Sequence, residues 1–419
     1  MRSIHAVIIG GGQAGLAMSR CLSERSIEHV VLERSRLAER WRSERWDSLR
    51  LLTPNWMSRL PGHRYTGPDP DGFMTMPEVV AFLERYARIS RVPLEAGTNV
   101  QRLERSADGF QIETNRGCWR SRNVVIATGY SDLPAIPSMA QQLEHDIHQL
   151  TPTQYRNPGQ LPDAAVLVVG AAASGIQLAD EIADSGRQVL LSVGRHTRML
   201  RRYRDRDILW WLDRMGILDE TTDQVFDLEI SREQPALQLV GRPDHATIDL
   251  SRLVAKGVRI VGRVIGADGT RVYFDDDLVA TTTAADVKLA SLLSRVEAFV
   301  DREGLSSEVG AAEPFAPLWP SFISSPSSTA LDLGAEGIGT AIWATGFRRS
   351  YPWLHLPVLD EFGEIRHVRG VTTEPGLYVL GMQFQQRRKS AFIDGVGQDA
   401  ADLARHLDRH QTKPRVAVA

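Results

Sequence analysis

Val7-Ile8-Ile9-Gly10-Gly11-Gly12-Gln13-Ala14-Gly15 decides the fold of this chain. The short apolar run reads as a buried parallel strand. It enters a glycine turn spaced G-x-G-x-x-G, and helix-forming Leu16 to Leu22 follow. Gly10 permits the tight turn, and Gly12 lets backbone N–H groups approach a pyrophosphate. Gly15 lets helix and strand pack closely. Gln13 and Ala14 stand at the helix N-terminus, whose partial positive charge faces the phosphates. The next apolar run, His29 to Leu32, ends in Glu33, eighteen residues after Gly15. A carboxylate there accepts both hydroxyls of an unphosphorylated ribose and repels a 2′-phosphate. Strand, turn, helix, strand and acid in this order point to a dinucleotide with a free adenosine ribose, FAD or NAD.

The pattern returns 160 residues later, in Val166-Leu167-Val168-Val169-Gly170-Ala171-Ala172-Ala173-Ser174-Gly175. A helical stretch (Ile176 to Ser185) and an apolar run (Gln188 to Val193) follow in the same order. Ala172 replaces the middle glycine, which puts a methyl group where backbone meets pyrophosphate. Gln188 to His196 contains no acid, and Arg195, His196 and Arg198 follow. Loss of the carboxylate and gain of guanidinium groups is the change a 2′-phosphate asks for. NADPH is therefore expected here rather than NADH, with Arg195 and Arg198 as its contacts. From Arg201 onward the arginines are interleaved with aspartates and read as a solvated face.

Two further apolar runs end alike, in Ala127-Thr128-Gly129 and in Ala344-Thr345-Gly346. The expected architecture is α/β with two Rossmann-like dinucleotide-binding domains. Residues 1–160 and 338–419 would build the FAD domain, and 161–337 an inserted NAD(P)H domain.

Between these landmarks the signals are weaker. Arg34 to Leu52, rich in Arg and Trp, reads either as an amphipathic surface helix or as a wall over the flavin. It leads into Thr53-Pro54-Asn55-Trp56. Pro77 opens a helix with Val79, Phe82, Leu83 and Tyr86 on one face. Val100 to Leu103 and Gly109 to Glu113 look like an antiparallel pair. Val258 to Val264 and Arg271 to Phe274 read as a hairpin, and Ala284 to Val300 as an amphipathic helix. Pro314 to Ser328 is a Pro/Ser-rich loop, either a substrate lid or a static surface. Phe392 to Gly397 leads into a closing helix, Gln398 to Leu407.

Of 419 residues, 24% are charged, and the net charge of −3 argues against nucleic-acid affinity. Two cysteines, Cys21 and Cys118, stand far apart in no C-x-x-C, so neither a disulfide framework nor a cysteine metal cluster is expected. A reducing cytoplasm fits. No signal peptide and no apolar run of about 20 residues is seen, so no membrane is expected. A homo-oligomer is left open.

Taken together, these motifs resemble the flavin-containing monooxygenases and their bacterial CzcO-type relatives over essentially the whole chain. The resemblance implies that NADPH in the inserted domain reduces FAD. Oxygen then adds to give a flavin C4a-hydroperoxide, which passes one atom to nitrogen, sulfur or carbon of a small organic substrate. Arg40, Trp41, Thr53, Val100, Gly381 and Ile393 join the expected cofactor contacts, and a helix N-terminus near Ile393 would face the flavin ring. Asn55 is the nearest match to the asparagine that faces flavin and NADP⁺ in this family. A turn preference after proline explains it equally. The F-x-G-x-x-x-H fingerprint is broken, since Gln142 and Glu144 stand where Phe and Gly belong before His148. Substrate contacts would come from Arg42 to Trp56, Trp319 to Phe322 and Gln383 to Phe392, with Arg387-Arg388-Lys389 expected to be solvated. A flavin reductase without oxygen transfer and a redox-sensing flavoprotein are the competing functions.

Overall fold

The computed structural model describes residues 1–318 and 329–411. Two sheets built to one plan carry the fold. In the first, five parallel strands lie in the order Leu377–Val379, Gly117–Ile126, Arg2–Ile9, His29–Glu33, Leu94–Ala96. In the second the order is His148–Leu150, Ile338–Trp343, Ala165–Val169, Val189–Ser192, Arg259–Val261. Each central strand feeds a glycine turn. Each is flanked on one side by the strand that ends in Ala-Thr-Gly and on the other by the strand that follows the helix.

The central strands are apolar throughout because both faces are covered, as parallel sheets require. Val7, Ile8, Val166, Leu167 and Val168 are wholly buried. Helix Gln13–Ser23 turns Leu16, Ala17, Met18 and Leu22 inward and leaves Arg20 outside, paired with Glu24. Helix Ala173–Asp184 repeats this with Ile176, Leu178, Ala179 and Ile182.

The repeat extends to single atoms. Gly10 has φ +114° and Gly170 φ +107°, where L side chains are strained. A Cβ on either would stand 2.5 Å from a carbonyl oxygen, that of Ala127 in the first copy and of Ala344 in the second. A Cβ on Gly15 would lie 1.9 Å from the Gly10 oxygen, and one on Gly175 1.7 Å from the Gly170 oxygen. The Ala-Thr-Gly segments are thus the backbone against which both turns close.

Three expectations are corrected here. The boundaries at 160 and 338 are misplaced, because His148–Leu150 and Ile338–Trp343 both pair within the second sheet. The outgoing and returning crossings instead pair with each other, Leu133–Pro134 against Phe347–Arg348. Arg259–Val261 is the edge strand of the second parallel sheet, and the hairpin is Val264–Asp268 with Arg271–Phe274. Arg34 to Leu52 holds only one helical turn, Glu39–Ser43.

The hairpin, with Ala330–Asp332, covers one face of the second sheet, where Val272 and Phe274 pack with Leu167 and Trp343. Helix Leu278–Glu303 packs Leu289, Leu293 and Val296 against Ile208, Trp211 and Leu212. The chain closes on helix Ile393–Gln411. No helix among the described residues is long and apolar enough to cross a membrane.

Candidate active site

A cavity of about 890 Å³ opens over the carboxyl ends of the first sheet's strands. The turn residues Gly10, Gly12, Gln13 and Ala14 form one wall, and Ala127, Thr128 and Gly129 the wall beside it. Glu33 and Val100 line one end. Arg40, Trp41 and Thr53 come from the 34–56 connection, and Gly381 and Ile393 from the returning chain. Gly15 supports the turn from behind.

Hydrogen bonds fix this lining. Glu33 Oε2 accepts from Gly11 N at 2.7 Å and Oε1 from Ser35 N at 2.9 Å, which sets the carboxylate across the turn. Trp41 Nε1 donates to Gln13 Oε1 at 3.4 Å. Arg40 donates to the Ser131 and Asp132 carbonyls and pairs with the Asp132 carboxylate, so it orders the loop after Ala-Thr-Gly. The first turn of the closing helix is pinned by close backbone approach, since a Cβ on Gly395 would lie 1.9 Å from the Lys389 oxygen. A Cβ on Gly12 would meet nothing within 4 Å. That open space at a helix N-terminus is the cradle a diphosphate needs.

The second crevice has the same frame with different chemistry. Ala172 adopts φ −76°, ψ −174°, against −84° and −174° at Gly12. Ala173 and Ser174 begin the helix, and Gly175 packs on Gly170. Thr345 Oγ1 donates to the Ala135 oxygen at 2.7 Å, and Gly346 sits at φ +93°. Ile9 pairs with Leu32 as Val169 pairs with Ser192, so buried Val193 occupies the place of Glu33. Arg195 is open to solvent, its side chain 77% exposed and 3.9 Å from Glu233.

The pyridine nucleotide-disulphide oxidoreductase family matches residues 7–212. The CzcO-like oxidoreductase of Geobacillus kaustophilus is 32% identical over 411 residues, which is 97% of this chain and 99% of that protein. The chain belongs to the CzcO-like flavoprotein family. An indole-3-pyruvate monooxygenase, YUCCA1 of Oryza sativa, is 29% identical over 204 residues, 47% of this chain and 49% of its own. Among solved structures, the flavin-containing monooxygenase from Stenotrophomonas maltophilia shares the fold with a TM-score of 0.68. It is 19% identical and covers 98% of this chain and 100% of its own. This CzcO-like protein is thus a flavin-dependent oxidoreductase whose family implies a flavin and a nicotinamide cofactor.

Four expectations about the CzcO-like protein's side chains are corrected. Asn55 is buried and does not line the cavity. Its Nδ2 donates to the Asp69 oxygen at 2.9 Å and its Oδ1 accepts from Met74 N at 2.8 Å, so both ends of the amide hold the 69–74 loop. Arg198 is not free for a phosphate. Its guanidinium is buried between Asp286, at 2.7 Å, and Asp249, at 3.1 Å. Arg201 is not solvated, being 1% exposed. It pairs with Asp207, and its Nη1 donates to the Leu52 oxygen at 2.8 Å, which ties the two halves together. Arg387, Arg388 and Lys389 are likewise engaged, with Asp399, Glu220 and Asp219.

Trp319 and Phe322 lie outside the described residues. His148 is exposed on an edge strand. Gln238 escaped sequence reasoning; its Nε2 donates to the Ala171 oxygen at 2.6 Å and braces the second turn from 67 residues away. No local pattern announces such a contact. Both cysteines are free, and burial pushes the Cys21 thiol up to about 12. Among the described residues, no group of three or more His, Cys, Asp or Glu is placed to hold a metal ion.

Proposed function

We propose that this CzcO-like protein is an NADPH-consuming, FAD-dependent monooxygenase that transfers one atom of O2 to a nitrogen, sulfur or carbon of a small organic substrate. The contrast between two otherwise equal crevices carries the proposal. One ends in a carboxylate, Glu33. The other replaces it with Val193 and sets Arg195 in the open. An acid selects a ribose with free hydroxyls, and a guanidinium selects a 2′-phosphate. The monooxygenase names among the relatives add support.

A bound flavin supplies the hydride acceptor and the oxygen-activating centre. The protein's residues do the rest. The N–H groups of the Gly10–Gly15 turn hold a diphosphate, and Glu33 keeps lone pairs for ribose hydroxyls beyond those used by Gly11 and Ser35. The helix that starts at Ile393 directs partial positive charge into the cavity, which favours negative charge on a reduced ring. Trp41, Leu51, Leu52 and Phe392 supply apolar wall that excludes water.

Disulphide reduction fits poorly. It needs a redox cysteine pair; Cys21 is buried and stays protonated, and Cys118 stands apart from it, on strand Gly117–Ile126, in no C-x-x-C. Two free cysteines suit a reducing cytoplasm. The test is anaerobic reduction with NADPH followed by ¹⁸O2 and candidate substrates. One labelled oxygen in the product per NADPH is expected. Hydrogen peroxide as the sole oxygen product, across a broad panel of amines, sulfides and oxo acids, would assign the protein to flavin reductases instead.

A further inference from the structure

Arg45 lines the first cavity without an acidic partner. Its Nη1 donates to the Glu44 carbonyl oxygen at 2.7 Å. No ion pair reaches its guanidinium within 4.0 Å among the described residues. Of the other arginines on this wall, Arg40 pairs with Asp132 and Glu44 and Arg36 with Glu39, while Arg34 is exposed to solvent. Burial pushes the Arg45 pKa down, with nearby Glu44 offsetting part of that effect. A guanidinium does not lose its proton in a protein, so this half-buried one, which lines the cavity without an acidic partner, is free to take an anion.

The position says which anion. Arg45 lies over the Trp41 ring, 5.5 Å from its centroid, and Trp41 reaches Gln13 at the start of the first helix. That helix offers a partial charge of about +0.5 to a diphosphate that bears two negative charges. Gly10 to Leu16 contains no basic residue to make up the difference.

The turn that presents Arg45 is fixed from outside. Arg156 Nη1 donates to the carbonyls of Arg45 at 3.3 Å, Thr153 at 2.9 Å and Tyr155 at 3.0 Å, and its Nη2 donates to that of Ser43. Asp47 N in turn donates to the Arg156 oxygen at 2.9 Å. One guanidinium braces the segment that carries the other.

We propose that Arg45 is the cation that neutralises the dinucleotide diphosphate in the first crevice, with Arg156 as its positioning residue. This rests on the first crevice being the FAD site. Full-length protein freed of flavin is titrated with FAD and with riboflavin, which has no phosphate. Arg45→Met weakens FAD by about 10- to 100-fold, the range for charge-assisted hydrogen bonds, and leaves riboflavin within about twofold. Arg45→Lys recovers part of the loss. Arg156→Met weakens FAD too, but adds little on top of Arg45→Met, because it acts through the same group. Should Arg45→Met not fold, Arg45→Gln carries the same expectation. Wild-type protein that takes up neither flavin sinks the FAD site itself. Wild-type protein that binds FAD overturns the Arg45 assignment alone if the variant keeps FAD affinity within about twofold, or weakens both flavins equally.

Discussion

Gly12→Ala and Gly15→Ala change the same atom count three residues apart, and they should fail in opposite ways. At Gly15 the new Cβ would stand 1.9 Å from the Gly10 carbonyl oxygen, a backbone atom that cannot rotate aside. Relief requires the helix to lift off the strand by more than an ångström. Overpacking of this kind costs about 1–3 kcal/mol or more, out of a total stability of roughly 5–15 kcal/mol. At Gly12 the backbone is extended, with φ −84° and ψ −174°, and a Cβ meets nothing within 4 Å. The apoprotein should keep its stability or gain about 0.4–1 kcal/mol through a less flexible unfolded chain. The methyl group would instead occupy the space where N–H groups meet the diphosphate. Loss of one charge-assisted hydrogen bond, about 1.5–3 kcal/mol, weakens FAD by roughly 10- to 100-fold. Denaturant unfolding of the apoproteins and flavin-fluorescence titration measure the two effects separately. The reasoning is refuted if Gly12→Ala destabilises the apoprotein as much as Gly15→Ala, or if it binds FAD as tightly as wild type.

Four further outcomes follow from particular contacts. Asn55→Ala should destabilise the fold by about 1–3 kcal/mol through two lost buried hydrogen bonds, with the coupling of NADPH use to product unchanged; a fall in coupling alone would return Asn55 to the mechanism. Arg198→Met strands Asp249 and Asp286 and should cost about 3–5 kcal/mol without raising the KM for NADPH. Arg195→Gln should raise that KM by roughly tenfold, about 1.4 kcal/mol, and leave NADH unaffected; steady-state kinetics on both nucleotides checks the pair. Burial, together with Arg232 and Arg349, pushes His367 down to about 4. The folded protein therefore resists a proton that the unfolded chain accepts near 6.5, and stability is lost as pH falls from 6.5 toward 4. His367→Asn should flatten that part of the profile by about 2 kcal/mol, after allowance for partial exposure to water; parallel profiles would clear His367.

The parts of the fold that were legible are those whose cause is local. An apolar strand entering a glycine turn needs only neighbouring residues, so both copies of that unit and the Ala-Thr-Gly segments could be read directly. The misreadings have distant causes. His148–Leu150 is three residues of no marked pattern, and it becomes a strand because Ile338–Trp343 presents an unpaired edge. The helix after Ala38 stops at Ser43 where Arg156, over 100 residues away, takes the Ser43 and Arg45 carbonyls. Arg198 sits in a basic stretch that suits a 2′-phosphate, yet its partners lie 51 and 88 residues further on. Asn55 follows a proline in a way that suits either a turn or a catalytic amide. Only the Asp69 and Met74 backbone groups decide between them.

Comparison of the two copies separates what the fold demands from what a ligand demands. Gly10 and Gly170, like Gly15 and Gly175, are the same residue in both copies, and at each a Cβ would collide with backbone. The copies diverge at several positions, and at two of them, Gly12 against Ala172 and Glu33 against Val193, the backbone follows the same course while the side chain changes. Residues retained for packing therefore say nothing about which nucleotide enters. On the proposed function that choice falls to divergent residues such as Gly12 and Ala172, where a Cβ on the glycine would meet nothing within 4 Å. A frame used twice in one chain thus acts as its own control. On the proposed assignment, what distinguishes a flavin site from a nicotinamide site is the turn residues that differ, Gly11-Gly12-Gln13-Ala14 against Ala171-Ala172-Ala173-Ser174, together with one carboxylate and the exposed Arg195.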